Sequence, residues 1–186
     1  MEITDLFLIN RMIPVLTVNK LENALPLCTA LIKGGLNVIE ITLRTKFALD
    51  SVEILSKEFP EVRIGVGTLL DPQDLNRAKN SGACFAVSPG LNMDLVRQAE
   101  TVGLAYLPGI QTSSEAMTAY RNGLRALKFF PAKAAGGIYG LQQLRPLYPG
   151  LKFCPTGGIG FSDATEYLKE ENVACIGGSF ASPSNL

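Results

Sequence analysis

Short runs of β-branched and apolar residues recur along the chain, and between them apolar positions fall at helical spacing. The runs are IPVLTV from Ile13, VIEIT from Val38, RIGVGT from Arg63, FAVS from Phe85, LAYLP from Leu104, ALKFF from Ala126, LKFCP from Leu151 and VACIGG from Val173. They repeat every ~20 to 25 residues, room for one strand, one helix and two tight loops. After the first run, Leu21, Ala24, Leu25, Cys28, Leu31 and Ile32 trace an i, i+3, i+4, i+7 stripe, which predicts a helix burying one face against a sheet.

Capping signals divide the chain at the same places. Asp71 before Pro72 reads as an N-cap with proline in the first turn, and Gly82 marks that helix's end. Thr112 with Glu115 forms a capping-box pattern, and Asn92 and Ser162 read as two further N-caps. Gly34, Gly103 and Gly123 are expected as left-handed C-terminal residues. Pro26 is discordant, because inside the first helix it removes a hydrogen bond and should bend the chain.

Strands alternating with helices imply parallel pairing, either in an open doubly wound sheet or in a closed barrel. Eight near-regular units favour the barrel, and no GxGxxG loop follows the first strand as a dinucleotide-binding fold requires. The expected fold is therefore an α/β parallel (β/α)8 TIM-type barrel forming one domain over 1–186. The eighth helix is missing, since only GGSFASPSNL follows the last strand's core. A shortened C-terminus, a partner subunit, or the segment Ile3 to Asn10 covering the exposed flank would each account for that.

Composition narrows the function. Hydrophobic residues make up 47% and charged residues 18%, with 17 basic against 17 acidic. That balance, with no basic run interleaved with aromatics, argues against nucleic acid as a partner. The N-terminal segment is interrupted by acids and Arg11 and lacks a cleavage-like end, and no run reaches the ~18 apolar residues of a membrane span. A cytoplasmic setting is expected. Cys28, Cys84, Cys154 and Cys175 lie far apart without a CxxC pair, so no metal site or disulfide framework is signalled. There is no histidine, which removes Ser/His/Asp and Cys/His catalysis and leaves Glu, Asp, Lys, Tyr or Cys for proton transfer.

Strand parity then locates candidate chemistry. If Ile39, Ile41 and Leu43 face the helices, Glu40 and Thr42 point into the barrel and Arg44 stands at its C-terminal mouth. By the same argument Leu127 and Phe129 face outward and Lys128 inward, on the strand opposite. An ammonium is costly to hold in an apolar interior, which favours the neutral amine that imine formation needs. A buried ion pair of purely structural role, Glu40 with Lys128 or with Arg44, fits the same pattern. Glycines at the ends of the seventh and eighth strands, in Pro155-Thr156-Gly157-Gly158 and Gly177-Gly178-Ser179, suit a phosphate site, because backbone N–H groups can approach an anion there. Gly65, Gly67 and Ser88-Pro89-Gly90 read as tight turns, and Thr68 as an inward hydrogen-bonding group.

Taken together, EITLRT (from Glu40), GVGT (from Gly65), SPGL (from Ser88), LPGI (from Leu107), KFFPA (from Lys128), FCPTGGI (from Phe153) and CIGGS (from Cys175) resemble the 2-keto-3-deoxy-6-phosphogluconate (KDPG) and 4-hydroxy-2-oxoglutarate (KHG) aldolase family. The resemblance runs in order over nearly the whole chain, from Pro14 to Ser179. It implies a homotrimeric class I aldolase of the Entner–Doudoroff route, without metal or cofactor, that cleaves KDPG to pyruvate and glyceraldehyde 3-phosphate. By position, Lys128 is then the Schiff-base lysine and Glu40 the general acid/base. Arg44 and Thr68 hold the pyruvyl carboxylate and Pro89 lines the site. Gly157, Gly158 and Ser179, flanked by Thr156 and Gly178, receive the phosphate. Rival readings are an aldolase preferring KHG or the galactonate epimer, and a phosphosugar-binding barrel without catalysis. Two departures from the family pattern are Lys133, where many relatives carry Glu, and the absent final helix.

Overall fold

The computed structural model describes residues 3–181. Its strands are β1 (Met12–Leu16), β2 (Val38–Thr42), β3 (Arg63–Gly67), β4 (Phe85–Val87), β5 (Ala105–Leu107), β6 (Gly109–Ile110), β7 (Ala126–Phe129), β8 (Lys152–Pro155) and β9 (Ile176–Gly178). All pair in parallel, in two ladders ordered β5-β4-β3-β2-β1-β9 and β6-β7-β8. Pro108, which has no N–H to donate, separates β5 from β6, so the fifth stave pairs with β4 through its first half and with β7 through its second. The isolated bridges Phe153↔Val173 and Thr156↔Gly177 join β8 to β9 and close the ring. The result is the expected TIM-type barrel, with its fifth stave in two pieces and its eighth beginning at Ile176 rather than Val173.

Helices α1 (Ile3–Ile9), α2 (Ala24–Lys33), α3 (Ala48–Glu58), α4 (Pro72–Asn80), α5 (Met93–Val102), α6 (Ser113–Arg121), α7 (Gly137–Leu144) and α8 (Phe161–Leu168) complete it. Outward strand residues such as Ile39, Ile41, Ile64 and Val66 pack with Leu27, Cys28, Val52, Leu55 and Leu75 of the helices. Leu127, Phe129, Phe153 and Ile176 do the same against α6 to α8. Every residue of β2 is buried, as expected for a parallel strand covered on both faces. No helix among the described residues is long and apolar enough to cross a membrane.

The base of the barrel is closed by α1. Leu6 and Phe7 join Ile13, Val38, Phe85, Ala126, Cys154 and Cys175 in an apolar plug. Asn10 ties this segment to the loop before β2, accepting from Asn37 N–H at 2.7 Å and donating to Gly35 at 3.0 Å. Arg11 donates to the carbonyls of Leu168, Val173 and Ala174 before β9. The N-terminal segment thus seals the floor and does not cover the flank beside β9. Beyond β9 the described chain makes a 3₁₀ turn, Ser179–Ala181, and residues 182–186 lie outside the described range.

Several local expectations hold and several are corrected. Asp71 and Thr112 form capping boxes, Asn92 caps α5, and Gly103 and Gly123 have φ of 63° and 82°. Pro26 does not bend α2, because the helix starts at Ala24 after a 3₁₀ turn and a first-turn N–H has no intrahelical acceptor to lose. The buried stripe of α2 is Ala24, Leu27, Cys28 and Leu31, with Leu25 exposed. The left-handed glycine after α2 is Gly35, not Gly34. Gly160, not Ser162, is the N-cap of α8, its N–H donating to Asp163.

Candidate active site

On β7 the flanking Leu127 and Phe129 enter the helix layer, which forces Lys128 into the lumen. Its N–H donates to Pro108 at 2.9 Å. On β2 the same alternation turns Glu40 inward between Ile39 and Ile41. The two side chains meet: Lys128 Nζ lies 3.4 Å from Glu40 Oε1, with side-chain exposures of 7% and 5%. That separation is longer than the ~2.7–2.9 Å of a tight charge-assisted bond. The Phe130 ring stands 5.3 Å from Nζ, within reach of the cation's attraction to a π face.

The carboxylate is seated by an absence of side chain opposite it. A Cβ on Gly67 would lie 1.9 Å from Glu40 Oε1, and one on Gly65 would lie 2.4 Å from the Phe85 ring. Both glycines belong to β3. They are interior spacers and not the turn residues expected from the sequence: each stands where a neighbouring side chain approaches the backbone too closely for a Cβ.

Above the pair, at the C-terminal ends of the strands, a cavity of about 480 Å³ is lined by Arg44, Thr156, Gly157, Gly158, Gly178 and Ser179, together with Thr17 and Phe130. Six of the residues singled out in the sequence therefore share one chamber, and Phe130 connects it to Lys128. Arg44 is exposed and makes no ion pair among the described residues. Gly157 and Gly158 have φ of 101° and 79°, a backbone region that favours glycine. Thr42 points inward as expected, donating to Leu16 at 3.1 Å and meeting the Thr17 hydroxyl at 2.9 Å.

Thr68 and Pro89 follow β3 and β4 at the same end of the barrel but do not line this chamber. Thr68 has φ of 66°, uncommon for a β-branched residue and costing roughly 1–3 kcal/mol. Hydrogen bonds on both sides hold it, from Leu43 N–H to Gly67 and from Leu69 N–H to Val87. Sequence reasoning misses Thr17 and Phe130. Both were within reach, since Thr17 shares the lumen parity of Val15 on β1 and Phe130 that of Lys128 on β7, each one residue past its strand's end.

Lys133 sits behind the glycine loop, its ammonium 2.7 Å from Asp163 Oδ2. The hydrogen bond to Asp163 raises the lysine's pKa, and the same bond, with the Gly160 N–H, holds the carboxyl below its usual value. The cysteines are free, three of them buried. Burial pushes Cys28 up to about 12, and burial with the adjacent Cys154 thiol pushes Cys175 up.

A parallel barrel that presents a buried amine to a carboxylate beneath an open, glycine-rimmed mouth is built for carbonyl chemistry through lysine, the class of the Schiff-base lyases. Comparison with known proteins agrees. The family pattern of KDPG and KHG aldolases matches residues 3–186. The KHG/KDPG aldolase of Escherichia coli K12 is 44% identical over 173 residues, 93% of this chain and 81% of that protein. The 2-dehydro-3-deoxy-phosphogluconate aldolase of Dickeya dadantii is 42% identical with the same coverage. A crystal structure of KDPG aldolase from Legionella pneumophila, with pyruvate captured at low pH as a covalent carbinolamine, superposes with a TM-score of 0.96 at 41% identity, over 99% of this chain and 89% of that one. The chain belongs to the KDPG and KHG aldolase family.

Proposed function

We propose that this chain is a class I aldolase that cleaves 2-keto-3-deoxy-6-phosphogluconate to pyruvate and glyceraldehyde 3-phosphate. The observation that carries the reading is the buried approach of Lys128 Nζ to Glu40 Oε1, 3.4 Å apart, under a chamber that has both a guanidinium and a glycine loop in its wall. The covalent pyruvate held by the Legionella relative supports it.

Neutral Lys128 adds to the C2 carbonyl, and loss of water leaves an iminium. Glu40 takes the C4 hydroxyl proton through a water. The C3–C4 bond breaks, its electron pair flows into the iminium to give an enamine, and the aldehyde departs. A proton returned to C3 and addition of water release pyruvate and the free amine. Arg44, with its planar fork, and Thr68 orient the keto-acid carboxylate, and Pro89 borders the substrate. Gly157, Gly158 and Ser179, with Thr156 and Gly178, receive the phosphate on backbone N–H groups and hydroxyls.

The name of the E. coli relative favours a second substrate, 4-hydroxy-2-oxoglutarate, alongside the phosphorylated one. Relative turnover of the two, and of the galactonate epimer, ranks them. One barrel domain over 1–186, assembly as a homotrimer and a cytoplasmic setting complete the proposal; sedimentation tests the assembly. The direct test of the chemistry is borohydride reduction in the presence of pyruvate, followed by peptide mass spectrometry. An adduct on Lys128 is expected, and no adduct would remove the mechanism.

A further inference from the structure

Lys133 lies outside the chamber, yet it touches most of the loop that forms one wall. Its backbone N–H donates to Gly157 at 3.2 Å, next to the Ala132 N–H bond to Thr156 at 2.7 Å. Its stem covers Gly158 so closely that a Cβ there would lie 3.1 to 3.2 Å from three of its carbons. Its ammonium reaches Asp163 Oδ2 at 2.7 Å, and the same oxygen accepts the Gly160 N–H at 3.3 Å. One lysine–aspartate pair thus spans Gly157 to Gly160, and Gly157, Gly158 and Gly160 all line the chamber.

Asp163 creates an electrostatic difficulty for the function proposed above. Its carboxylate stands one hydrogen bond from a wall that must receive a phosphate carrying ~1.5 to 2 negative charges. Like charges so placed repel, and a paired cation largely cancels the repulsion. We infer that Lys133 is a positioning residue that sets the loop's affinity for the phosphorylated end of the substrate, by neutralising Asp163 and holding Gly157 to Gly160 in their anion-receiving shape. The inference rests on the aldolase reading for its substrate but not for its test. The pair is half exposed, 56% and 32%, and such pairs contribute little to stability, so its removal leaves the fold standing.

The test is calorimetric titration of inorganic phosphate into the wild type, K133M, D163N and K133M/D163N, with thermal melts as a check on folding. K133M keeps the stem and loses the charge; phosphate affinity is expected to fall roughly tenfold, and D163N in the same chain to restore it to within about twofold. Arginine at the position, K133R, should bind phosphate like the wild type. Unchanged affinity in K133M, failure of D163N to restore it, or no phosphate binding by any of the four would overturn the inference. In steady state, K133M should raise KM for the phosphorylated substrate and leave kcat, and KM for 4-hydroxy-2-oxoglutarate, within about twofold; an equal loss on both substrates would also overturn it. Pyruvate trapping in the wild type reports separately on the aldolase reading, because phosphate titration needs no turnover.

Discussion

Gly67 and Glu40 are in contact across adjacent strands, with so little space between them that a methyl group on Gly67 would lie 1.9 Å from the Glu40 carboxylate oxygen. Gly67→Ala therefore has to push the carboxylate away from Lys128. A displacement of about 1 Å at a reacting group commonly costs ~10²-fold in rate. Measured kcat should fall by that order while pyruvate trapping on Lys128 persists; wild-type kcat would mean the position of Glu40 is immaterial.

Glu40→Gln keeps the shape of the side chain and removes its capacity to move protons. General acid/base groups contribute ~10²–10⁴-fold, so turnover should drop within that range. Single-turnover trapping should still label Lys128. Loss of both would assign Glu40 to imine formation or to folding instead.

Arg44→Lys retains the charge of an exposed chamber residue and discards its planar fork. The expected result is a KM for keto acid raised by about tenfold with a smaller change in kcat, read from initial rates with pyruvate as a competing ligand. Equal KM values would mean that the fork does not engage the carboxylate.

Phe7 is buried in the floor of the barrel with Leu6, Phe85 and Cys175. Phe7→Ala should destabilise the fold by about 3–5 kcal/mol, measured as a shift of the denaturant midpoint. A change under ~1 kcal/mol would show that the helix is not integral to the core.

The thiols offer a pH-dependent readout. Burial raises Cys28 to about 12 and Cys175 well above its ordinary value, so both stay protonated and unreactive at pH 8 in the folded state. A group raised in the folded state and normal in the unfolded one binds more protons when folded, so its stabilising contribution is present below the unfolded value and fades as pH rises past it. With an aromatic disulfide reagent at pH 8, only the half-buried Cys84 should react in native protein, and all four in denaturant. Rapid modification of Cys28 without unfolding would contradict this.

The lumen pair was legible in the sequence because bulky aliphatic neighbours leave Glu40 and Lys128 no other face, and strand parity needs only local information. The glycine loops after the seventh and eighth strands were legible for a similar reason, being placed by counting strands. Gly65 and Gly67 were misread as turns, because their purpose lies in what Phe85 and Glu40 do on neighbouring strands. The two-piece fifth stave was hidden for the same cause: Pro108 marks where pairing passes from one neighbour to the other, and sequence shows only one side of that exchange. The destination of α1 was open too, since an amphipathic segment reveals which of its faces is buried but not which surface receives it. Phe130 shares the parity of Lys128, but an aromatic ring one residue past a strand carries no chemistry that singles it out as a chamber residue.

The ring of strands is two arcs meeting at two seams, one at Pro108 and the other at the paired bridges between β8 and β9. Glu40 rides on the larger arc and Lys128 on the smaller. The span between amine and carboxylate therefore depends on how the two arcs sit against each other, and a shift at either seam would change that distance.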